Sequence, residues 1–111
     1  MNEYFPDRWT LVKITGDDPH YRVFGSWFGG YLDGDHWRMN SGIVRYEEDE
    51  FYYDFFGSSG SCYMCQKNEY GSHIYGHGVM KSYEDKLDGK FQILSEEEAL
   101  AVIKANDWII K

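Results

Sequence analysis

The chain has few basic residues, few cysteines and no long apolar run. Eleven lysines and arginines stand against nineteen aspartates and glutamates, which leaves a net charge of −8 over 111 residues. This charge opposes binding to nucleic-acid phosphates and anionic membranes, because affinity for both comes largely from lysine and arginine. It favours a protein partner with a basic surface. We therefore expect no direct contact with nucleic acid or membrane.

The lack of long apolar runs and the low cysteine count indicate the compartment in which the protein is expected. No apolar run approaches the roughly 20 residues that cross a bilayer. Residues 1–9 carry neither a basic region nor an apolar stretch, so no secretory signal is expected. Two cysteines in such a chain indicate free or metal-bound thiols in a reducing compartment, not a disulfide framework. The expectation is a single cytoplasmic domain covering residues 1–111.

Short segments rich in β-branched and aromatic residues recur at intervals of eight to twelve residues, with turn residues between them. Gly25 interrupts one such segment, which predicts a bulge or a close backbone approach. Asp33-Gly34 predicts a hairpin turn. The pattern predicts an antiparallel sheet, a meander of about five to seven short strands. The clearest predicted strands are residues 9–15, 21–28, 43–48, 51–56 and 90–94.

The C-terminal part predicts one helix. Ser95 followed three residues later by Glu98 is a capping box, and it precedes an apolar-periodic segment that ends near Ala105. Residues 82–87 predict at most one helical turn, and residues 108–111 predict a closing strand. The expected fold class is α+β, an antiparallel sheet with one C-terminal helix packed on one face.

Both cysteines and two of the four histidines lie between residues 62 and 77. The spacing of Cys62, Cys65, His73 and His77 supplies two thiolates and two imidazoles, the ligand types of a structural zinc site. Cysteines three apart on a strand point to opposite faces, however, and an extended 73–77 segment would separate the histidines. Free thiols in or beside a sheet are the preferred interpretation, with no cofactor, and a small zinc module is the alternative.

No residue spacing selects a catalytic group. The glycine-rich segment 57–60 could suggest a phosphate-binding loop, but it lacks the lysine and helix of that motif. Cysteine, serine and histidine residues can be combined on paper, yet nothing singles out a nucleophile with its base. We expect a protein that is not an enzyme.

An acidic run offers a candidate surface for a partner. Such a run is most often the solvated tip of a hairpin, but it can also imitate phosphates and occupy a basic groove of another protein. The candidate partner-binding residues are Glu47, Glu48, Asp49, Glu50 and Asp54.

Aromatic residues make up 19% of the chain, and ten of them are tyrosines. They either thicken the core or form a platform on a sheet face for a saccharide or a peptide. The core interpretation is preferred. The candidate platform residues are Tyr21, Trp27, Tyr31, Trp37, Tyr52 and Tyr53.

Two segments, GDDPHYRVFGSWFGGYLDGDHWRMNSGI (16–43) and FGSSGSCYMC (56–65), resemble small uncharacterised proteins of tailed phages and their bacterial hosts. The resemblance covers residues 9 to about 77 and transfers no activity or functional residue. It implies a phage-type accessory protein that binds host machinery. The sequence thus favours a non-catalytic binding protein that docks on a basic protein partner. The alternatives are the zinc module and the sheet-face binder.

Overall fold

A computed structural model describes residues 2–29 and 34–110. The predicted Asp33-Gly34 turn lies partly outside them. The strands are β1 Glu3–Tyr4, β2 Arg8–Ile14, β3 His20–Trp27, β4 His36–Met39, β5 Ile43–Glu48, β6 Tyr52–Gly57, β7 Cys62–Gln66 and β8 Phe91–Ile93. The helices are α1 Ile74–Lys86 and α2 Glu96–Ala105.

The strands form two sheets, not the single sheet expected. One is a mixed sheet in the order β1-β7-β6-β5, and the other is an antiparallel sheet in the order β4-β3-β2-β8. The pair β1–β7 is parallel, and it joins segments almost sixty residues apart. Local turn patterns carry no information about such distant pairing. The α+β class is confirmed, while the single meander is wrong.

The antiparallel sheet is the middle layer, covered on both faces. On β2, Leu11 faces the mixed sheet and Val12 faces α1, because successive side chains of a strand point to opposite faces. The main core is Trp9, Leu11, Val23, Ile43, Phe55, Tyr63, Cys65, Leu94, Ala99, Ile103 and Trp108. The second cluster, under α1, is Val12, Phe24, Met80 and Phe91.

Gly25 allows a close backbone approach, as its position in a strand predicted. A Cβ atom added there would lie only 3.0 Å from Cβ of Pro6. Pro6 is buried, so the chain before β2 presses directly on β3. This contact fixes the path that leads from β1 in one sheet to β2 in the other.

The C-terminal segment differs from its prediction in one respect. The helix α2 begins after Ser95 with the predicted capping box, in which the Ser95 hydroxyl accepts from the Glu98 amide at 3.1 Å. Residues 107–110, however, form no strand. Trp108 still reaches the main core, and its indole nitrogen donates to Asn106 Oδ1 at 2.9 Å. The segment docks by its tryptophan, not by strand pairing.

The helix α1 was not predicted beyond a single turn over residues 82–87. It spans thirteen residues and lies on the antiparallel sheet, so residues 2–29 and 34–110 contain two helices where one was expected. Neither helix in the described part of the chain has the length and apolar run of a membrane-spanning segment.

Candidate functional site

The two cysteines lie on opposite faces of β7. Cys65 belongs to the main core with 0% of its surface exposed, whereas Cys62 pairs with Phe56 and Glu3 on the outer face of the mixed sheet. Both are free. Burial raises the pKa of Cys62 to about 11, with nearby carboxylates adding to the shift, and burial raises that of Cys65 well above its ordinary value. Both thiols are therefore protonated at neutral pH, which disfavours metal binding and thiolate chemistry.

The histidines of the proposed zinc set lie at the start of α1. His73 is the N-cap residue with its ring 5.6 Å from that of Phe28, and His77 is exposed one turn later. Across residues 2–29 and 34–110, no three histidine, cysteine, aspartate or glutamate side chains are grouped closely enough to hold a metal ion. The structure does not bring Cys62, Cys65, His73 and His77 together.

Asp49 and Glu48 of the acidic run have partners close to the β5–β6 turn. Asp49 Oδ1 accepts from the amides of Phe51 and Tyr52, both at 2.8 Å, and these bonds lower the Asp49 pKa. Asp49 therefore shapes the β5–β6 turn. Glu48 lies 2.6 Å from the Lys67 ammonium group, and this hydrogen bond is the main cause of its lowered pKa. Glu50 is exposed at the turn.

The remaining members, Glu47 and Asp54, are directly opposite each other on β5 and β6. Their side chains are on the outer face of the mixed sheet, away from the main core, and Glu3 on β1 is on the same face. Burial raises the pKa of Asp54, and the negative charges of Asp49, Glu47 and Glu3 raise it further. We call Glu3, Glu47 and Asp54 the acidic sheet face.

Within the described part of the chain, the Asp54 carboxylate lacks a hydrogen bond at one of its two oxygen atoms. Its Oδ1 atom is buried and has no hydrogen-bond donor among the described residues. The nearest strand neighbours offer little compensation, because Arg45 is already bonded to Glu47 at 3.0 Å and lies 3.7 Å above the Phe56 ring. A buried acceptor without a donor is an unfavourable state that a ligand can relieve.

The aromatic residues suggested as a platform do not share a face. Tyr21, Trp27 and Tyr53 pack against the main core, and Trp37 stacks on Phe24 at 5.3 Å in the second cluster. Tyr52 lies on the opposite side of the mixed sheet, and Tyr31 is outside the described residues. This distribution supports the core interpretation of the aromatic excess.

A polar pocket of about 510 Å³ was missed from the sequence. It lies where β4 of the antiparallel sheet approaches the 57–60 segment of the mixed sheet. Its polar lining residues include Arg22, Arg38, Asn40, Ser41, Ser59 and Ser61. In the sequence, the glycine-serine segment was the only local indication of this pocket. The arginines of the pocket come from β3 and β4, which are distant from that segment in sequence.

No protein-family model, no curated protein and no solved structure matches this chain. Function is therefore inferred from the residues and their geometry alone.

Proposed function

We propose that this is a non-catalytic binding protein that docks the acidic sheet face on a basic surface of a protein partner. The observation that carries the proposal is the buried Asp54 oxygen without a donor. The Asp54 side chain as a whole is partly exposed, so a lysine or arginine of a partner would approach the carboxyl group and, once the group turns, supply that donor as a charge-assisted hydrogen bond, the stronger kind. A cytoplasmic accessory factor of the phage type would fit such a role.

The surroundings of Asp54 support docking over simple solvation. Glu3 and Glu47 are exposed beside it, Glu47 in an exposed ion pair with Arg45, and the negative charge of both raises the Asp54 pKa. Phe56 and Met64 lie half-buried on the same face, which supplies apolar contact area next to the charges. In the described part of the chain, no helix covers this face. The net charge of −8 would also steer the protein towards basic surfaces and speed the encounter.

A peptide of six arginines, used as the basic surface, tests the proposal directly. Binding should lower the Asp54 pKa, because a nearby cation favours the carboxylate. Carbon-detected NMR of the Asp54 carboxyl group through a pH titration, with and without peptide, measures the change. An unchanged Asp54 pKa at saturating peptide would contradict the proposed contact.

Two matched double variants separate a specific face from general attraction. Glu3→Lys with Glu47→Lys changes the acidic sheet face, and Glu96→Lys with Glu97→Lys changes the exposed first turn of α2. Each pair alters the net charge from −8 to −4, since one Glu→Lys adds two charges. We expect the first pair to weaken peptide binding about tenfold more than the second. Equal weakening would show that only total charge matters and would overturn the proposal.

A further inference from the structure

The polar pocket concentrates positive charge in an acidic protein. Arg22 comes from β3 and Arg38 from β4, and among the described residues none that lines the pocket is acidic. Neither arginine takes part in an ion pair with any described residue. In a chain with nineteen acidic side chains, two arginines left without a carboxylate form a local site for an anion.

Both guanidinium groups are held in place by uncharged neighbours. Arg22 Nε donates to His20 Nε2 at 2.8 Å, and His20 Nδ1 in turn donates to the Asp18 carbonyl at 2.6 Å. This chain of bonds requires neutral His20 with its proton on Nδ1. The Arg38 guanidinium lies 4.6 Å from the centre of the Tyr4 ring, a cation–π contact. These contacts orient the arginines without neutralising them.

Asn40 provides an independent indication of a ligand. Its side chain is 2% exposed, and Oδ1 accepts from the Val23 amide at 2.9 Å. The other half of the amide, Nδ2, is buried and has no acceptor among the described residues. A buried donor without an acceptor is rare in proteins and calls for a partner. Because Asn40 lines the pocket, a ligand oxygen can take that place.

The absence of a side chain at Gly57 lets polar groups lie close to this amide. A Cβ atom added at Gly57 would lie 3.1 Å from Ser61 Oγ, 3.2 Å from Ser41 Oγ and 3.4 Å from Asn40 Nδ2. Two hydroxyl groups and one unpaired amide therefore surround the glycine closely. The hydroxyls can donate as well as accept, which adds to the donors that the arginines supply.

We propose that the polar pocket binds the phosphoryl group of a small phosphorylated molecule. Two guanidinium groups, an amide and serine hydroxyls supply more donors than a planar carboxylate accepts, and they suit the several oxygens of a phosphate. The pocket volume falls within the range of small-molecule sites. The net charge of −8 opposes an extended polyanion such as RNA, which favours a small ligand. The site is independent of the acidic sheet face.

The test is an NMR titration with inorganic phosphate at constant ionic strength, in which acetate is the comparison anion. The signals followed are the side-chain amide of Asn40 and the backbone amides of residues 58–61. Saturable shifts of the Asn40 Nδ2 protons with phosphate, and at least about tenfold weaker binding of acetate, are expected. Equal binding of both anions, or shifts that grow without saturation, would overturn the phosphate assignment.

Variants with matched charge locate the site. Arg38→Gln removes an exposed pocket arginine, whereas Arg45→Gln removes an exposed arginine on the outer face of the mixed sheet. Arg38→Gln should weaken phosphate binding about tenfold or more, and Arg45→Gln should leave it within about twofold. Asn40→Asp keeps the acceptor for the Val23 amide but turns the unpaired donor into a carboxylate oxygen, so binding should be lost. Unchanged binding in Arg38→Gln, shown folded by its amide spectrum, would refute the proposal.

Discussion

The helix α2 has ten residues and α1 has thirteen, yet the shorter one has the stronger local determinants. A capping box begins α2, and Asn106, in the left-handed region at φ 52°, ends it. The N-cap residue of α1, His73, makes no side-chain capping bond, and α1 contains two glycines. Ala99 and Ile103 anchor α2 in the main core, while only Gly76 and Met80 of α1 are buried.

The difference shows two ways of stabilising a helix. The helix α2 is encoded by its own caps and periodicity, so it would be recognised in any context. The helix α1 depends on tertiary packing. Gly76 brings the helix backbone against the antiparallel sheet, and Met80 fills the second cluster. A helix of the second kind forms when tertiary packing outweighs poor intrinsic propensity.

The largest effect is expected from an Ile→Ala substitution in α2, which is compared with the same substitution in α1. Ile103 of α2 is 3% exposed in the main core, and Ile74 of α1 is 94% exposed. Ile103→Ala should lower the free energy of unfolding by about 2–5 kcal/mol through lost burial and a cavity. Ile74→Ala should change it by less than about 0.5 kcal/mol. Urea unfolding measures both, and similar losses would show that Ile74 is packed against the protein and not exposed.

The second prediction concerns Tyr70, which ties the segment before α1 to the main core. Its hydroxyl donates to the Leu94 carbonyl at 2.7 Å and accepts from the Leu11 amide at 3.1 Å. Tyr70→Phe leaves both backbone groups unsatisfied and should reduce stability by about 2–3 kcal/mol. The half-exposed Tyr75, inside α1, is the control, and Tyr75→Phe should be nearly neutral in thermal unfolding. A neutral Tyr70→Phe would mean that the anchoring lies elsewhere.

The third prediction separates the two glycines of α1. A Cβ atom at Gly76 would lie 3.3 Å from the Phe24 ring, whereas at Gly78 it would meet nothing within 4 Å. Gly76→Val should therefore overpack the interface and destabilise the protein by about 2 kcal/mol. Gly78→Val should be neutral or slightly stabilising, since valine has the higher helix propensity. Equal tolerance at both positions in chemical unfolding would argue against close packing of α1 on the sheet.

The smallest expected effect comes from changing the N-cap residues, so that α2 loses its capping side chain and α1 gains one. Ser95→Ala removes the bond that the Ser95 hydroxyl accepts from the Glu98 amide and should lower the stability by about 1 kcal/mol. His73→Ser offers α1 the cap it lacks and should raise stability by about 0.5 kcal/mol. Hydrogen exchange of the first-turn amides would locate each change. A destabilising His73→Ser would indicate that the contact of His73 with Phe28 matters more than capping.

Much of the sheet was predictable because its determinants are local. The β5–β6 hairpin, the strands β2, β3 and β8 and the approach at Gly25 all follow from alternation and turn residues. The division into two sheets was not predictable, since β4 and β5 are consecutive in the chain and yet form edges of different sheets. The helix α1 was missed because glycines and histidines conceal its periodicity and it lacks a capping side chain.

The candidate sites show the same division. Spacing grouped Cys62 and Cys65 with His73 and His77, but the twofold alternation of β7 and the start of α1 separate them. Proximity in sequence also grouped the acidic run, whereas hydrogen bonds assign Asp49 to a turn and Glu48 to Lys67. Asp54 stands apart because its buried oxygen has no donor among the described residues.

By itself, the sequence determined the charge of the protein, the α+β class and the capped helix α2, because composition, alternation and capping act within a few residues of one another. Only the tertiary structure decided that there are two sheets, that α1 forms, and that Arg22, Arg38 and Asn40 share a pocket. Those features depend on contacts between residues far apart in the chain. Such contacts form when burial of the main core brings the two sheets together.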